Sequence, residues 1–182
     1  TGLLPKPTVV QSFLGDDAAD KRSQLIDRLL DSPDYAKYWA RKWGDLLRLS
    51  RKQIGEGAVY KFADWLEQSI AVNQPYDEFA RDLLTAKGSS LLKPEANFIR
   101  TTINAEDAME STSQLFLGSR IQCAKCHNHP FERWTQDNYY GLTAFFARTK
   151  TKKLGKSGET FVWNAKEGEV KHPVSGKYLP PW

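Results

Sequence analysis

Both cysteines of this 182-residue chain, and one of its three histidines, lie in a single pentapeptide, Cys123-Ala124-Lys125-Cys126-His127. The C-x-x-C-H spacing is the one that attaches a c-type haem. Two thiols add across the vinyl groups of the macrocycle, and the adjacent imidazole is placed under the iron. The short spacing follows from the rigid porphyrin: the vinyls are fixed, and the ligand must reach the centre. Cys123 and Cys126 would form the thioethers and His127 would be the proximal ligand. A ligating histidine needs a partner on its other ring nitrogen, and a backbone carbonyl around Pro130 is the expected one.

Other chemistries fit the same residues. A C-x-x-C can be a thiol-disulfide redox pair, but that reading expects a strand-helix context and leaves His127 without a role. A zinc site could recruit Cys123, Cys126, His127 or His129. Adjacent ligands at Cys126 and His127 point in different directions, however, and no second pair of ligands stands nearby. A chance match is weakened because no cysteine lies outside the motif.

The opposite axial position has three candidates, Met109, His129 and His172. His129 follows His127 by two residues, a reach of at most about 7 Å. It cannot easily pass round the macrocycle edge, so it is expected to bond a propionate or to cap the His129-Pro130 turn. His172 could fold back over the haem and give a low potential; Met109 would give a higher one. Methionine on an apolar helical face is usually core. An open site is the third possibility. Arg120, Arg133 and Lys125 could contact propionates or polarise a bound oxygen, although surface pairing is their commoner fate. Trp134 and Tyr139 could relay an electron, but packing is the safer expectation.

The first two-thirds of the chain reads as helix after helix. Pro7 starts a short helix that Gly15 stops. Leu25, Ile26, Leu29 and Leu30 have helical spacing. Ser32-Pro33 caps and starts the next helix, which carries Tyr35, Tyr38, Trp39, Trp43, Leu46 and Leu47 along one face. Val59, Phe62, Ala63, Leu66 and Ile70 form a stripe after Gly57. Asn73-Gln74-Pro75 opens another helix, which ends near Gly88, and residues 88–94 read as a loop. A short helix is expected around Phe98. Asn104 caps a helix with Glu106 and Asp107 in its first turn, ended by Gly118. Thr135 caps a last one through Phe146.

After Arg148, lysine and glycine dominate. The run Lys150, Lys152, Lys153 and Lys156 reads as a solvated loop, or as a docking patch for an acidic partner. Thr160 to Trp163 and Glu169 to Lys171 read as two strands joined at Gly168; Pro180-Pro181-Trp182 reads as extended. The expectation is a mostly α, irregular multi-helix domain with a small C-terminal β-hairpin. Residues 1–148 form the helical haem-binding part, and residues 149–182 a loop and hairpin extension packed on it. A hydrophobic fraction of 40% supplies a core, and the six tryptophans are assigned mainly to it.

The net charge of +4 is only mildly basic, and the aromatic residues fall on core faces rather than between basic ones, which argues against nucleic-acid binding. No apolar run reaches the roughly eighteen residues of a membrane span. Haem c is attached outside the cytoplasm, so the motif implies a periplasmic or otherwise extracytoplasmic protein with a signal peptide upstream of Thr1.

The stretch Phe116-Leu117-Gly118 with Arg120-Ile121-Gln122-Cys123-Ala124, then Cys126-His127-Asn128-His129-Pro130-Phe131, strongly resembles the planctomycete cytochrome C-associated domain long catalogued as a domain of unknown function. Tyr139-Tyr140-Gly141-Leu142-Thr143-Ala144-Phe145-Phe146 resembles it too, as do Thr1 to Pro5, Ser32-Pro33 with Tyr35, Trp39 and Trp43, and the closing Pro173 to Lys177. The resemblance implies a piece of a larger secreted protein, preceded by a short charged helix and by a single-haem cytochrome module. It supports haem c and export more than any reaction. In ordinary small cytochromes c the motif lies near the N-terminus, whereas here it starts at Cys123, so that fold is not expected. Three functions compete, in this order: electron transfer to another haem or redox module, a five-coordinate haem enzyme of peroxidase type, and a zinc- or thiol-stabilised interaction module without redox chemistry.

Overall fold

The computed structural model describes residues 1–155 and 158–181. Lys156, in the lysine run, and Trp182, in the extended end, lie outside the described residues. Among the described residues the chain is mostly helical, with small antiparallel strands near its C-terminus.

Three of the helices described start on a side-chain cap, at Ser32, Asn104 and Thr135, and others at a proline. Pro7 sits in the first turn of α1, Pro7–Leu14, and α2 spans Lys21–Leu30. The Ser32 hydroxyl accepts from the Asp34 amide to open α3, Pro33–Leu46. Next come α4, Arg51–Ile54, and α5, Glu56–Ala71. After Pro75, α6 runs Tyr76–Thr85, and α7 is the short helix Asn97–Arg100 around Phe98. Asn104 accepts from the Asp107 amide at the start of α8, Ala105–Phe116. Thr135 opens α9, Gln136–Ala147, with a reciprocal capping box to Asn138.

Two cores organise these elements. The larger one gathers Leu47, Ile54, Phe62, Leu66, Phe79, Leu83 and Phe98, with Trp43 and Trp65 packed against it. Trp43 meets Phe79 edge-on with ring centroids 4.9 Å apart, a favoured geometry for aromatic pairs. The face of α3 that packs on α5 differs from the expected aromatic stripe. Ala36, Ala40 and Gly44 are its buried residues, while Trp39 and Leu46 are largely exposed. Small side chains let the two backbones approach, and the bulky rings flank the contact. Helices α1 and α2 bury no residue fully.

The second core holds Met109, Ile121, Ala124, Tyr139 and Tyr140, between α8, α9 and the loop that joins them. Trp134 packs against it from the same loop. Ala124, the second residue of the cysteine pentapeptide, is completely buried there.

A small C-terminal hairpin is present, but its strands are not the expected pair. A three-stranded antiparallel sheet has the order β1-β3-β2, from β1 (Gly88–Ser89), β2 (Thr149–Leu154) and β3 (Glu159–Asn164). The lysine run is therefore largely strand rather than loop. Its register pairs Thr149 with Asn164 and Leu154 with Glu159. Lysine along an exposed edge is a common device against edge-to-edge pairing, and it hides the apolar alternation that would mark a strand. Residues 88–94, expected as loop, supply β1, with Ser89 opposite Phe161. Val170–Lys171, β4, does not return onto β3. It pairs with Tyr178–Leu179, β5.

Candidate functional site

Helix α8 ends at Phe116, and the chain turns away at Gly118, whose φ of +66° a side chain would disfavour. Ile121 then drops into the second core, and Gln122–Lys125 forms one 3-10 turn. The turn divides the pentapeptide. Ala124 points inward and is fully buried, while Cys123 and Cys126 are exposed free thiols. The amides of Cys126 and His127 both point at the Cys123 carbonyl, each at 3.4 Å.

The turn is fastened from below. The Lys125 carbonyl accepts from Gln136 Nε2 at 2.9 Å and from the Tyr140 hydroxyl at 3.2 Å. The Lys125 ammonium pairs with Glu106 of α8, and this hydrogen bond holds its pKa above the ordinary value. One turn along α8, Glu110 accepts from the buried Tyr139 hydroxyl. Burial, reinforced by that bond, pushes the Tyr139 pKa up. Burial and then the Glu106 charge raise that of Tyr140. A carboxylate-tyrosine layer thus supports the motif.

The three histidines differ in how their rings are held. His127 is exposed, and its Nδ1 lies 2.7 Å from the Asn128 carbonyl oxygen. A carbonyl only accepts, so Nδ1 carries a proton, and in the neutral ring Nε2 keeps its lone pair. That is the tautomer a metal ligand needs, with the partner on the other nitrogen that orients it. The partner is Asn128 rather than a carbonyl nearer Pro130. Asn128 is itself fixed, because its Oδ1 accepts from the Gln136 amide at 3.2 Å.

His129 has the opposite arrangement. Its Nδ1 accepts from the amides of Phe131, 3.3 Å, and Glu132, 3.1 Å, and its own amide bonds the Trp134 carbonyl. In the neutral ring the proton is then on Nε2. The imidazole caps a turn, one of the two roles expected of it. His172 repeats the device. Its Nδ1 accepts from Val174 and Ser175, both at 3.2 Å, and its Nε2 faces Asp137 Oδ1 at 3.4 Å. It is buried, edge-on to Tyr140 with centroids 5.5 Å apart. The fold therefore brings His172 near the motif, but behind Tyr140.

Met109 lies in the second core, 1% exposed, and its sulfur accepts from the Ser113 hydroxyl at 3.5 Å. Arg120 and Arg133 are exposed and enter no ion pair among the described residues. Trp134 is half-buried and donates to Glu132 Oε2 at 2.9 Å. Tyr139 is fully buried, in keeping with a packing role. No three of the described His, Cys, Asp and Glu side chains converge as a protein-built metal site requires. A covalent haem would ask less of a chain, since the macrocycle brings its own four nitrogens and needs only two thiols and one imidazole.

Asn128, Gln136, Tyr140 and Glu106 hold the motif in place, and the sequence reading did not single them out as a set. The Glu106 and Glu110 spacing of four, on a helix whose cap was legible, was the available signal.

Fold and site together define a mostly α domain with an exposed Cys-x-x-Cys-His turn pinned on its last two long helices. The chain belongs to the PSCyt2 family, described as a protein of unknown function (DUF1549), which it matches over residues 1–151. That match includes the motif and α9. No curated protein and no solved structure matches the chain. Among the described residues no helix is long and apolar enough to cross a membrane.

Proposed function

We propose that this domain carries one covalently attached haem c at Cys123 and Cys126, with His127 as proximal ligand, and transfers electrons within a larger exported protein. The observation that carries the reading is the His127 tautomer: an Nε2 lone pair on an exposed neutral ring, oriented by the Asn128 carbonyl, beside two exposed free thiols. The haem supplies a one-electron iron couple. Cys123 and Cys126 would attach it, the Asn128 carbonyl orients the His127 ring, and Ala124, Lys125 and Asn128 hold the turn in place. Rigid seating lowers the reorganisation that accompanies each electron. Partners on this reading are other haem or redox modules, and the compartment is extracytoplasmic.

A second reading is favoured by a separate observation. Met109 is sealed in a core, and His129 and His172 each present a protonated Nε2, so none offers a free ligand atom as placed. That arrangement supports a haem that would be left open to a small molecule or to a ligand from another module. The experiment is maturation in an export-competent host, followed by oxidised and reduced absorption spectra. A low-spin spectrum supports electron transfer with a sixth ligand in place. A high-spin spectrum moves the open-site reading first. Absence of covalent haem overturns both.

A further inference from the structure

An apolar cavity of about 430 Å³ lies between α6, α7, α8, α9 and the sheet, and no residue between 118 and 141 lines it. Its volume is within the range of small-molecule sites. The helical walls are Leu84, Ile99, Met109, Leu142 and Phe146. Two further lining residues, Leu117 and Phe145, are 56% and 55% exposed. Apolar side chains left in contact with water along a concave wall lose the stabilisation that burial would bring.

The hydroxyls in the wall are already committed. Thr85 donates to the Arg81 carbonyl, Thr112 to the Ala108 carbonyl, Ser113 to the Met109 sulfur and Thr149 to Asn164 Oδ1. They offer little for recognising a polar body. One charged residue belongs to the described lining, Lys87, and it enters no ion pair among the described residues. Lys87 immediately precedes β1, which pairs with β3, and Asn164 at the end of β3 also lines the cavity. The sheet wall is therefore the positive end of a cavity whose helical walls are mainly apolar and whose helical hydroxyls are committed to intrachain bonds.

We propose that this cavity binds a single-chain anionic amphiphile, an acyl chain lying along α8 and α9 with its carboxylate at Lys87. The charge selects the head group: a cationic amphiphile of equal length would meet Lys87 with repulsion, and a neutral one would gain nothing from it. The site is distinct from the cysteine motif and does not depend on haem.

The test is calorimetric titration of the full chain with dodecanoate and, separately, dodecyltrimethylammonium, both below their micellar concentrations. Dodecanoate binds at one saturable site and the cation more weakly. Thr112→Phe, which fills the cavity from α8, abolishes dodecanoate binding. Lys87→Glu lowers dodecanoate affinity by about fivefold, the worth of one exposed ion pair, and removes the preference for the anion. Equal binding of the two amphiphiles, no binding of dodecanoate, or unchanged binding in a folded Thr112→Phe protein overturns the proposal. If Thr112→Phe does not fold, Lys87→Glu decides alone: an unchanged anion preference overturns it.

Discussion

The Nδ1 atom of His127 lies 2.7 Å from the carbonyl oxygen of Asn128, while the same atom of His129 accepts two backbone amides. Two imidazoles separated by one residue are thus held in opposite tautomers. The consequence is measurable without haem. In 15N spectra of the neutral rings, His127 shows the proton on Nδ1, and His129 and His172 show it on Nε2. A His127 ring protonated on Nε2 contradicts the arrangement.

The layer under the motif makes the protein sensitive to base. The pKa values of Tyr139, Tyr140 and Lys125 are all raised in the folded state. A raised value means the fold favours the protonated form. That stabilisation is complete below the ordinary tyrosine value of 10.0 and is lost as pH rises beyond it. The urea midpoint therefore falls as pH rises from about 10 to about 12. Tyr139→Phe, which cannot ionise, lessens the fall while lowering the midpoint at neutral pH through loss of the Glu110 bond. An equal fall in both proteins contradicts this account.

Gly168 is required where the chain leaves the sheet. Its φ is +141°, and a Cβ there would stand 2.6 Å from the Ala147 carbonyl oxygen at the end of α9. Neither atom belongs to a flexible side chain that could move aside. Gly168→Ala destabilises the fold by about 1–3 kcal/mol, read as a lower thermal midpoint. An unchanged midpoint shows that the contact is not tight.

The capping box at α9 fixes the helix end on which the motif rests. The Thr135 hydroxyl accepts from the Asn138 amide, and Asn138 Oδ1 accepts from the Thr135 amide at 3.0 Å. Thr135→Ala destabilises the protein by about 1 kcal/mol. Its reach extends to the motif, because the next residue, Gln136, bonds both Asn128 and the Lys125 carbonyl. Amide exchange at Asn128 and His129 is accordingly faster in Thr135→Ala than in the parent, and unchanged exchange would separate the motif from the cap.

The helical part was legible because its signals are local. Ser32, Asn104 and Thr135 each cap the helix that their sequence context predicts, since capping needs only neighbouring residues. Tertiary choices were harder to read. Which face of α3 is buried depends on how closely α5 approaches, and the alanines and Gly44 win over the tryptophans. The pairing of β3 with a lysine-rich edge was invisible because β2 exposes nearly every side chain and shows no alternation. At the site, Cys123, Cys126 and His127 are exposed on one turn, while the Lys125 anchorage comes from Gln136 and Tyr140, long-range partners that no local pattern marks.

The most direct test of the central claim is the denatured mass and visible spectrum of protein matured in an export-competent host, parent beside His127→Ala and Cys123→Ala/Cys126→Ala. The account predicts a covalent haem on the parent. His127→Ala retains the covalent haem but loses the histidine-ligated spectrum, and the double cysteine variant carries no covalent haem. A parent without covalent haem, or a His127→Ala spectrum identical to the parent's, would contradict it.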